Sequence, residues 1–301
     1  MKNVGNVNFW QIDHKIKKIA EKKGVVVLSS PEAWQKFKWS RAYFSMRPEE
    51  GYFIWVREKI NFPCFSCVSI ASKNIEQKLR NLLVIEKDLS CTFHGTCNVL
   101  KKNLSSRHLA KGKIILKENA VLNYEHIHSW GEKDVVEPDY EFILEKNSKL
   151  NYTYKNLFTP KEMKIKTTFN LFSEAVSNIK IIANCRKTKF NLEDVVNLKG
   201  KGASGQVKLR LVGREDSKIS AVSQMTAEAE SRGHLDCQGL LAKTTSEISL
   251  IPGLVCKNKK AQMTHEASIG KIAEDQLTYL RQRGIKEEEA INLIINGFLE
   301  A

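Results

Sequence analysis

The sequence has 301 residues, of which 42% are hydrophobic, and carries a formal net charge of +14 at pH 7. No apolar run approaches the roughly 20 residues that a membrane-spanning helix needs, and the opening Met1–Asn6 lacks the apolar core of a signal peptide. We therefore expect a cytoplasmic protein without a membrane partner. Its seven cysteines, an odd number, favour free thiols and ligands over a disulfide framework.

The positive charge is spread along the whole chain. Lysines occur in every segment, including strand-like ones such as Lys164–Thr168, and do not form one tract with interleaved aromatic residues. A strongly basic protein is a candidate for nucleic-acid binding, but this dispersion favours a solvated, lysine-rich surface. Binding of nucleic acid or another polyanion remains the alternative function.

The first 63 residues predict a small helical N-terminal unit. Apolar residues recur at helical spacing from Asn8 to Lys23, and Ser30-Pro31 indicates the start of a second helix, with proline at its first position. This second helix is rich in aromatic residues as far as Phe44. A strand at Tyr52–Val56 closes the unit.

Cys64 and Cys67 form the chain's single CxxC motif. A structural zinc site normally needs a second such pair or a pair of histidines, and no matching half follows at the expected distance. Two incidental thiols at a domain junction are therefore favoured over a redox or metal site.

Residues 64–269 predict repetitive β-structure. Short segments alternate apolar and polar residues with period two, and Asn119–Tyr124 recurs as Asn147–Tyr152, 28 positions later. The strand centres Ile179 and Val207 repeat at a similar interval. Such a period is typical of a β-solenoid, in which one repeat forms one coil.

The repeat interval also separates Cys237 from His265. If equivalent residues stack at the roughly 4.8 Å spacing of paired strands, this thiol and this imidazole are neighbours. On spacing alone, the competing interpretation is that Cys237 is a small buried side chain and His265 an ordinary surface residue.

Gly200–Gly205 matches the dinucleotide fingerprint G-x-G-x-x-G. That motif must open a helix that receives a pyrophosphate, whereas here a strand is predicted from Gln206 to Val212. The glycines predict a tight turn between coils, and the sequence also lacks a P-loop. We therefore expect neither nucleotide binding nor ATP hydrolysis.

Two helices are predicted at the C-terminal end. The first runs from Ala273 to Arg283 and ends at Gly284, and the second opens at Glu287 with acidic residues at its positive end. The second carries two apolar stripes, one of which is expected to pack on the solenoid and the other to face a partner. The stripes are Ala290-Ile294-Phe298 and Ile291-Ile295-Leu299.

The C-terminal third resembles the SufB/SufD family of iron–sulfur cluster assembly scaffolds. The resemblance extends more weakly back to about Val68. The residues that carry it are Gly239, Pro252-Gly-Leu, His265-Glu-Ala, Gly270-Lys-Ile, Glu274-Asp-Gln-Leu, Tyr279-Leu, Arg283-Gly-Ile, Glu289-Ala and Asn296-Gly-Phe.

The resemblance implies a fold and a set of partners. The fold is a right-handed parallel β-helix over residues 64–269, followed by C-terminal helices over residues 270–301. In this family those helices dock a SufC-type ATPase, so the expected contacts are Tyr279, Ile291, Ile295 and Phe298. A homodimer or a pair with a SufB/SufD paralogue is expected, together with a sulfur donor protein.

The resemblance also implies the site residues of a non-catalytic scaffold for a transient iron–sulfur cluster. Cys237 is the expected thiolate ligand or sulfur acceptor, His265 the nitrogen ligand, and Glu266 a further ligand or the group that holds the imidazole. The His265-Glu266 pair resembles SufB more than SufD. However, Tyr140–Lys149 lacks the cysteine that SufB proteins carry in the corresponding stretch.

Overall fold

A computed structural model of the chain describes residues 8–242 and 245–301. Within these residues the chain is mainly β-structure, arranged as a parallel β-solenoid of about eight turns. The opening Met1–Asn6, on which the absence of a signal peptide was argued, lies outside the described residues. None of the described helices has the length and apolarity needed to cross a membrane.

Nineteen strands in the described part of the chain form two sheets. Sheet A has the order β19-β17-β15-β13-β11-β9-β7-β5-β1-β2 and sheet B the order β18-β16-β14-β12-β10-β8-β6-β4-β3. The strands are β1 (Phe9–Ile12), β2 (Lys15–Ile19), β3 (Val25–Ser29), β4 (Tyr52–Val56), β5 (Cys64–Ile70), β6 (Glu76–Ile85), β7 (Ser90–Val99), β8 (Arg107–Leu116), β9 (Val121–Ser129), β10 (Val135–Leu144), β11 (Lys149–Phe158), β12 (Glu162–Leu171), β13 (Val176–Arg186), β14 (Lys189–Leu198), β15 (Ser204–Arg214), β16 (Lys218–Ala227), β17 (Arg232–Leu241), β18 (Glu247–Cys256) and β19 (Gln262–Lys271).

The helices lie at the two ends of the chain. They are α1 (Ser30–Lys36), a short 3₁₀ helix (Lys38–Ala42), α2 (Glu274–Gln282) and α3 (Glu287–Glu300). The helix start predicted near Ser30-Pro31 is confirmed, with a refinement. Ser29 is the N-cap, and it forms a capping box with Glu32.

The predicted repeat corresponds to one coil. Tyr124 pairs with Tyr152 and Ile179 with Val207, each partner lying in the next coil of sheet A. From β4 to β19, successive strands therefore alternate between the two sheets, and strands two apart are hydrogen-bonded. Because side chains alternate along each strand, the apolar positions line the interior. Inward aromatic rings stack between coils, as Phe142 and Phe169 do at 4.4 Å between centroids.

Turn chemistry explains where the coils bend. Asn119 and Asn147 adopt positive φ angles of 60° and 57° at equivalent turns, a conformation that asparagine tolerates better than most residues. Gly202 has a φ of 75°, and the strand β15 follows it. The predicted turn at Gly200–Gly205, followed by a strand, is confirmed.

The predicted helix from Asn8 to Lys23 is wrong, because β1 and β2 form an antiparallel hairpin there. Phe9 is buried in the solenoid interior, whereas Ile16 and Ile19 are exposed, so the helical spacing does not define one buried face. Pairing of β1 with β5 satisfies its backbone and overrides the local pattern. Strand pairing also crosses residue 63, since β4, a strand correctly predicted, pairs with β6.

The C-terminal end of the solenoid is open. Strands β18 and β19 are the last members of their sheets, and most of their residues are partly or fully exposed. Helix α3 does not cover this end but packs on the outer face of sheet A. There Ile295, which is 1% exposed, lies in one apolar cluster with Val212 and Leu240.

Candidate functional site

Cys237 lies on β17 with its side chain in the solenoid interior, and it is 1% exposed. Its partner in the last coil is Ala267. Burial, reinforced by the charges of Asp194 and Asp236 and opposed by that of Arg210, raises the pKa of the Cys237 thiol to about 12. The thiol is therefore protonated at neutral pH until a metal ion or a structural change displaces the proton.

The structure does not place His265 beside Cys237 in register. His265 pairs with Leu235, because the coil that joins Cys237 to Ala267 takes 30 residues instead of the expected 28. His265 is exposed on the edge strand β19. It occupies the same face of the sheet as Cys237, two positions away from direct pairing.

Glu266 lies on the opposite face of β19 from His265. Its Oε1 lies 3.8 Å from Nε2 of His234, and Nδ1 of His234 lies 2.8 Å from Oγ1 of Thr264. Within the described part of a single chain, Cys237, His265 and Glu266 do not converge to within 4.8 Å as metal ligands do. A metal or cluster site that uses these three residues therefore needs further ligands, supplied at the open end of the solenoid.

Charged groups surround Cys237 on both faces of the sheets. Asp194 lies in the interior, where it accepts hydrogen bonds from Thr167 at 2.7 Å and Ser223 at 3.1 Å. On the outer face of sheet A, Arg210 forms a bidentate ion pair with Asp236 at 2.9 and 2.7 Å. Both side chains of that pair are less than 10% exposed, so the pair fixes the backbone next to Cys237.

The edge strands at the open end expose apolar side chains. Ile251 on β18 is 54% exposed and Ile269 on β19 is 46% exposed. Each strand has ten residues, and an edge strand presents unpaired backbone donors and acceptors to a further strand. The end that carries His265 and Glu266 is therefore suited to pairing with another chain.

The CxxC motif lies within the strand β5, which separates its two thiols. Cys64 belongs to the buried core, whereas Cys67, three positions later, lies on the opposite face and is partly exposed. Because an odd step along a strand reverses the face, the two sulfur atoms cannot chelate one ion. Cys64 instead lies close to the thiol of Cys91 in the next coil of sheet A.

The expected partner-binding residues differ in their exposure. Tyr279 is 56% exposed, and Ile291 and Phe298 are partly exposed. Ile295 is buried within the chain, so its side chain is not available to a partner while α3 stays packed on sheet A. Leu293, at 55% exposure, is the apolar side chain of α3 that is open to solvent.

One group of candidate metal ligands, Cys97, His126 and His128, was not predicted from the sequence. All three are buried, and their ligand atoms lie within 4.8 Å of one another. The available signal was the His-x-His spacing, which on a strand places both rings on one face.

The fold and its open end define a β-solenoid scaffold in which the thiol of Cys237 lies one coil below the unpaired edge strand β19. Residues 68–298 match the family model described as "SUF system FeS cluster assembly, SufBD core domain". The chain therefore belongs to the SufBD family.

Proteins of archaea show similarity over most of the chain. A curated SufBD family protein of Archaeoglobus fulgidus is 27% identical over 308 residues, covering 92% of this chain and 79% of that protein. MJ0034 of Methanocaldococcus jannaschii is 28% identical, covering 80% and 77%. The MTH1150 homolog of Methanothermobacter thermautotrophicus is 27% identical, covering 83% of this chain. The chain spans 62% of that relative's length.

Proposed function

We propose that this chain is a non-catalytic scaffold on which an iron–sulfur cluster is assembled and from which it is passed on. One observation carries the proposal. The part of the chain that matches the SufBD core domain includes the open last coil of the solenoid, and this coil holds His265 and Glu266 one coil beyond Cys237. The cluster is cargo in this proposal. Cys237 and His265, which share the inward face, are its ligands, and Glu266 joins them only when assembly rearranges the edge strand β19 and turns its carboxylate to the same side.

The chemistry of these ligands suits a cluster that must leave. Thiolate is the ligand that iron–sulfur clusters prefer, and binding of iron displaces the proton that burial retains on Cys237. Imidazole and carboxylate are harder ligands than thiolate. A site with one thiolate therefore holds a cluster less firmly than a site with four.

Assembly of two chains supplies the groups that one chain lacks. Each chain offers one thiol, one imidazole and one carboxylate near its open end, and the edges of β18 and β19 are unpaired. Pairing at these edges would bring two sets of ligands to one junction. The partner is a second copy of this chain or a SufB/SufD paralogue.

In this proposal, other proteins supply the energy and the sulfur for cluster assembly. A SufC-type ATPase docks on α2 and α3, where Tyr279 and Leu293 are exposed. A shallow groove of about 420 Å³ lies between these helices and is lined by Tyr279, Leu280 and Ile294, among others. Sulfur arrives from a separate donor protein, and because Tyr140–Lys149 contains no cysteine to receive it, Cys237 is the thiol proposed to accept it.

Binding of nucleic acid is the weaker candidate. Lysine side chains pair with glutamates on neighbouring coils, as in Lys117–Glu145 and Lys155–Glu125, both at 2.7 Å. Such pairs interrupt the positive surface between coils, although the net charge of +14 remains. The membership in a cluster-assembly family gives this alternative no support.

The test is anaerobic reconstitution of the purified chain with ferrous iron and sulfide, followed by assays of iron and acid-labile sulfide. Cys237→Ala removes a ligand but little volume, so we expect it to lose cluster loading while it remains folded. Cys185→Ala is the matched control, because Cys185 is also a buried inward thiol. Wild-type iron and sulfide in Cys237→Ala would overturn the assignment, and salt-dependent retention on nucleic acid without cluster loading would favour the alternative.

A further inference from the structure

A second set of ligands lies deep inside the solenoid. Cys97 on β7 and His128 on β9 are partners in register, and His126 lies two positions before His128 on the same face. Sγ of Cys97 lies 3.7 Å from Nε2 of His126, and the Nε2 atoms of the two histidines are 2.9 Å apart. The three side chains are at most 6% exposed.

These separations are close to those of a tetrahedral metal site. Zinc–sulfur and zinc–nitrogen bonds of about 2.3 and 2.05 Å place tetrahedral ligands about 3.5 Å apart for sulfur and nitrogen, and about 3.3 Å apart for two nitrogens. The observed sulfur–nitrogen distance of 3.7 Å is slightly longer than this, and the observed nitrogen–nitrogen distance of 2.9 Å is slightly shorter. Small rotations of the side chains are therefore enough to enclose an ion.

The surroundings are more polar than the interior of an apolar core. Nδ1 of His128, Nε2 of His108 and Nε1 of Trp130 are buried without a hydrogen-bond partner among the described residues. Such orphaned groups are rare in native interiors. Tyr152 Oη lies 3.4 Å from Nδ1 of His126. In metal sites, the ring nitrogen that does not bind the ion usually has such a contact, which orients the ring.

Burial also keeps the imidazoles in the form that binds metals. Both rings are almost fully buried, where the neutral form is favoured over the charged one. Neutral imidazole is the ligand form of histidine. A simple hydrogen bond between the two rings explains the 2.9 Å contact but not the thiol 3.7 Å from one of the same nitrogen atoms.

We propose that Cys97, His126 and His128 bind one divalent transition-metal ion, Zn²⁺ or Fe²⁺, through Sγ and the two Nε2 atoms. The fourth position is open to water or a small ligand. Binding releases the thiol proton of Cys97 to solvent, and the hydrogen between the two Nε2 atoms moves to Nδ1 of the ring that carried it, so that both Nε2 lone pairs face the ion.

This site is separate from the proposed cluster site. His126 and Cys237 are four coils apart in one column of paired residues, which corresponds to about 19 Å at 4.8 Å per coil. The metal proposal therefore goes beyond the cluster-scaffold function and stands or fails without it.

An approach to the site exists on one side. Trp130 lines a surface cavity of about 510 Å³ and packs against the ring of His108 at 4.7 Å and that of His128 at 5.7 Å. An ion that enters from this cavity must pass this indole. Loading during refolding removes that barrier from the experiment.

The test uses cobalt as a spectroscopic probe, without iron or sulfide. The whole chain is unfolded with reductant and chelator, refolded anaerobically with Co²⁺, and freed of excess metal. We expect one bound ion and a thiolate-to-cobalt charge-transfer band. Cys97→Ser should lose this band, while Cys185→Ser and Cys237→Ser should keep it. If Cys237→Ser loses the band and Cys97→Ser keeps it, or if the refolded wild type binds no cobalt, the proposal is overturned.

A second measurement covers the case in which Cys97→Ser does not refold. X-ray absorption of the wild-type chain loaded with Zn²⁺ should give a shell of one sulfur and two imidazole nitrogens. A shell without sulfur, or with several sulfurs, would contradict the proposal. This result does not depend on cluster assembly at Cys237.

Discussion

His126 and Cys237 occupy the same inward column of the solenoid, four coils apart. The pairs that connect them run through Tyr154, Ile181 and Leu209. The intervening side chains form a packed core, and all three are at most 2% exposed. Changes at one of the two candidate sites should therefore leave the other unaffected, as expected for positions well beyond contact distance.

The buried carboxyl of Asp194 predicts a pH dependence of stability. Burial raises its pKa to about 6, against the hydrogen bonds from Thr167 and Ser223. The folded state thus holds this proton more tightly than the unfolded state, where the pKa is about 3.9. Its stabilising contribution is complete below about pH 4 and is lost as pH rises through about 6, a difference of about 3 kcal/mol.

Asp194→Asn tests this dependence, because it removes the charge and keeps the shape. We expect the variant to gain up to about 3 kcal/mol over the wild type at pH 8, and to gain little at pH 4. Urea unfolding at a series of pH values measures the difference. Parallel profiles for the two proteins would show that Asp194 does not titrate as its burial predicts.

The Arg210–Asp236 pair predicts opposite effects for single and double substitution. Arg210→Ala leaves the Asp236 carboxylate buried and unpaired, which should cost about 3–5 kcal/mol. Replacing both, as Arg210→Met with Asp236→Leu, should recover most of this loss because neither charge remains. Chemical unfolding measures both, and a single variant within about 1 kcal/mol of the wild type would contradict the prediction.

The same pair predicts a loss of stability in acid. Burial alone would raise the pKa of Asp236, but hydrogen bonds and the charge of Arg210 outweigh it, so the pKa is lowered. The stabilisation from this group is therefore present above about pH 4, the unfolded pKa, and is lost as the pH falls through the lowered folded pKa. The double variant should lack this acid sensitivity.

Substitutions at two residues of α3 distinguish docking of the ATPase from packing of the helix on the solenoid. Ile295→Ala should destabilise the packing of α3 on sheet A by about 2–5 kcal/mol, because Ile295 is buried against Val212 and Leu240. Faster hydrogen exchange in α3 would report this. Leu293→Asp should leave exchange unchanged but weaken co-purification of the ATPase, since Leu293 is exposed. Undiminished co-purification with Leu293→Asp and Tyr279→Asp combined would rule out this docking surface.

The unpaired edges of β18 and β19 predict a dimer, and charged side chains introduced on these strands should prevent it from forming. Ile251→Lys with Ile269→Lys places a cation on each edge strand, a substitution that blocks pairing between edges. Light scattering at micromolar concentration should show a dimer for the wild type and a monomer for this variant. As a control, Val222→Lys changes an exposed position of β16, a strand that is already paired on both sides. A monomeric wild-type chain, with no paralogue present, would leave only the heterodimer as the proposed assembly.

The solenoid could be predicted from the sequence because its evidence is local and repeated. Alternation along each strand fixes which side chains point inward, and the recurrence of Asn119–Tyr124 at Asn147–Tyr152 shows that successive coils have the same form. The turn at Gly200–Gly205 and the helix start near Ser30-Pro31 were also predictable, since both depend on a few adjacent residues. The family resemblance was visible for the same reason.

Only the tertiary structure decided which residues meet. The segment from Asn8 to Lys23 forms strands because β5 offers its backbone a partner, and this partner lies more than 50 residues away. Cys237 pairs with Ala267 instead of His265 because one coil is two residues longer than the 28 expected. Cys97, His126 and His128 converge because the intervening coil has the length that brings them into register. Side-chain direction is a local property of a strand, whereas register depends on the length of every turn between two residues.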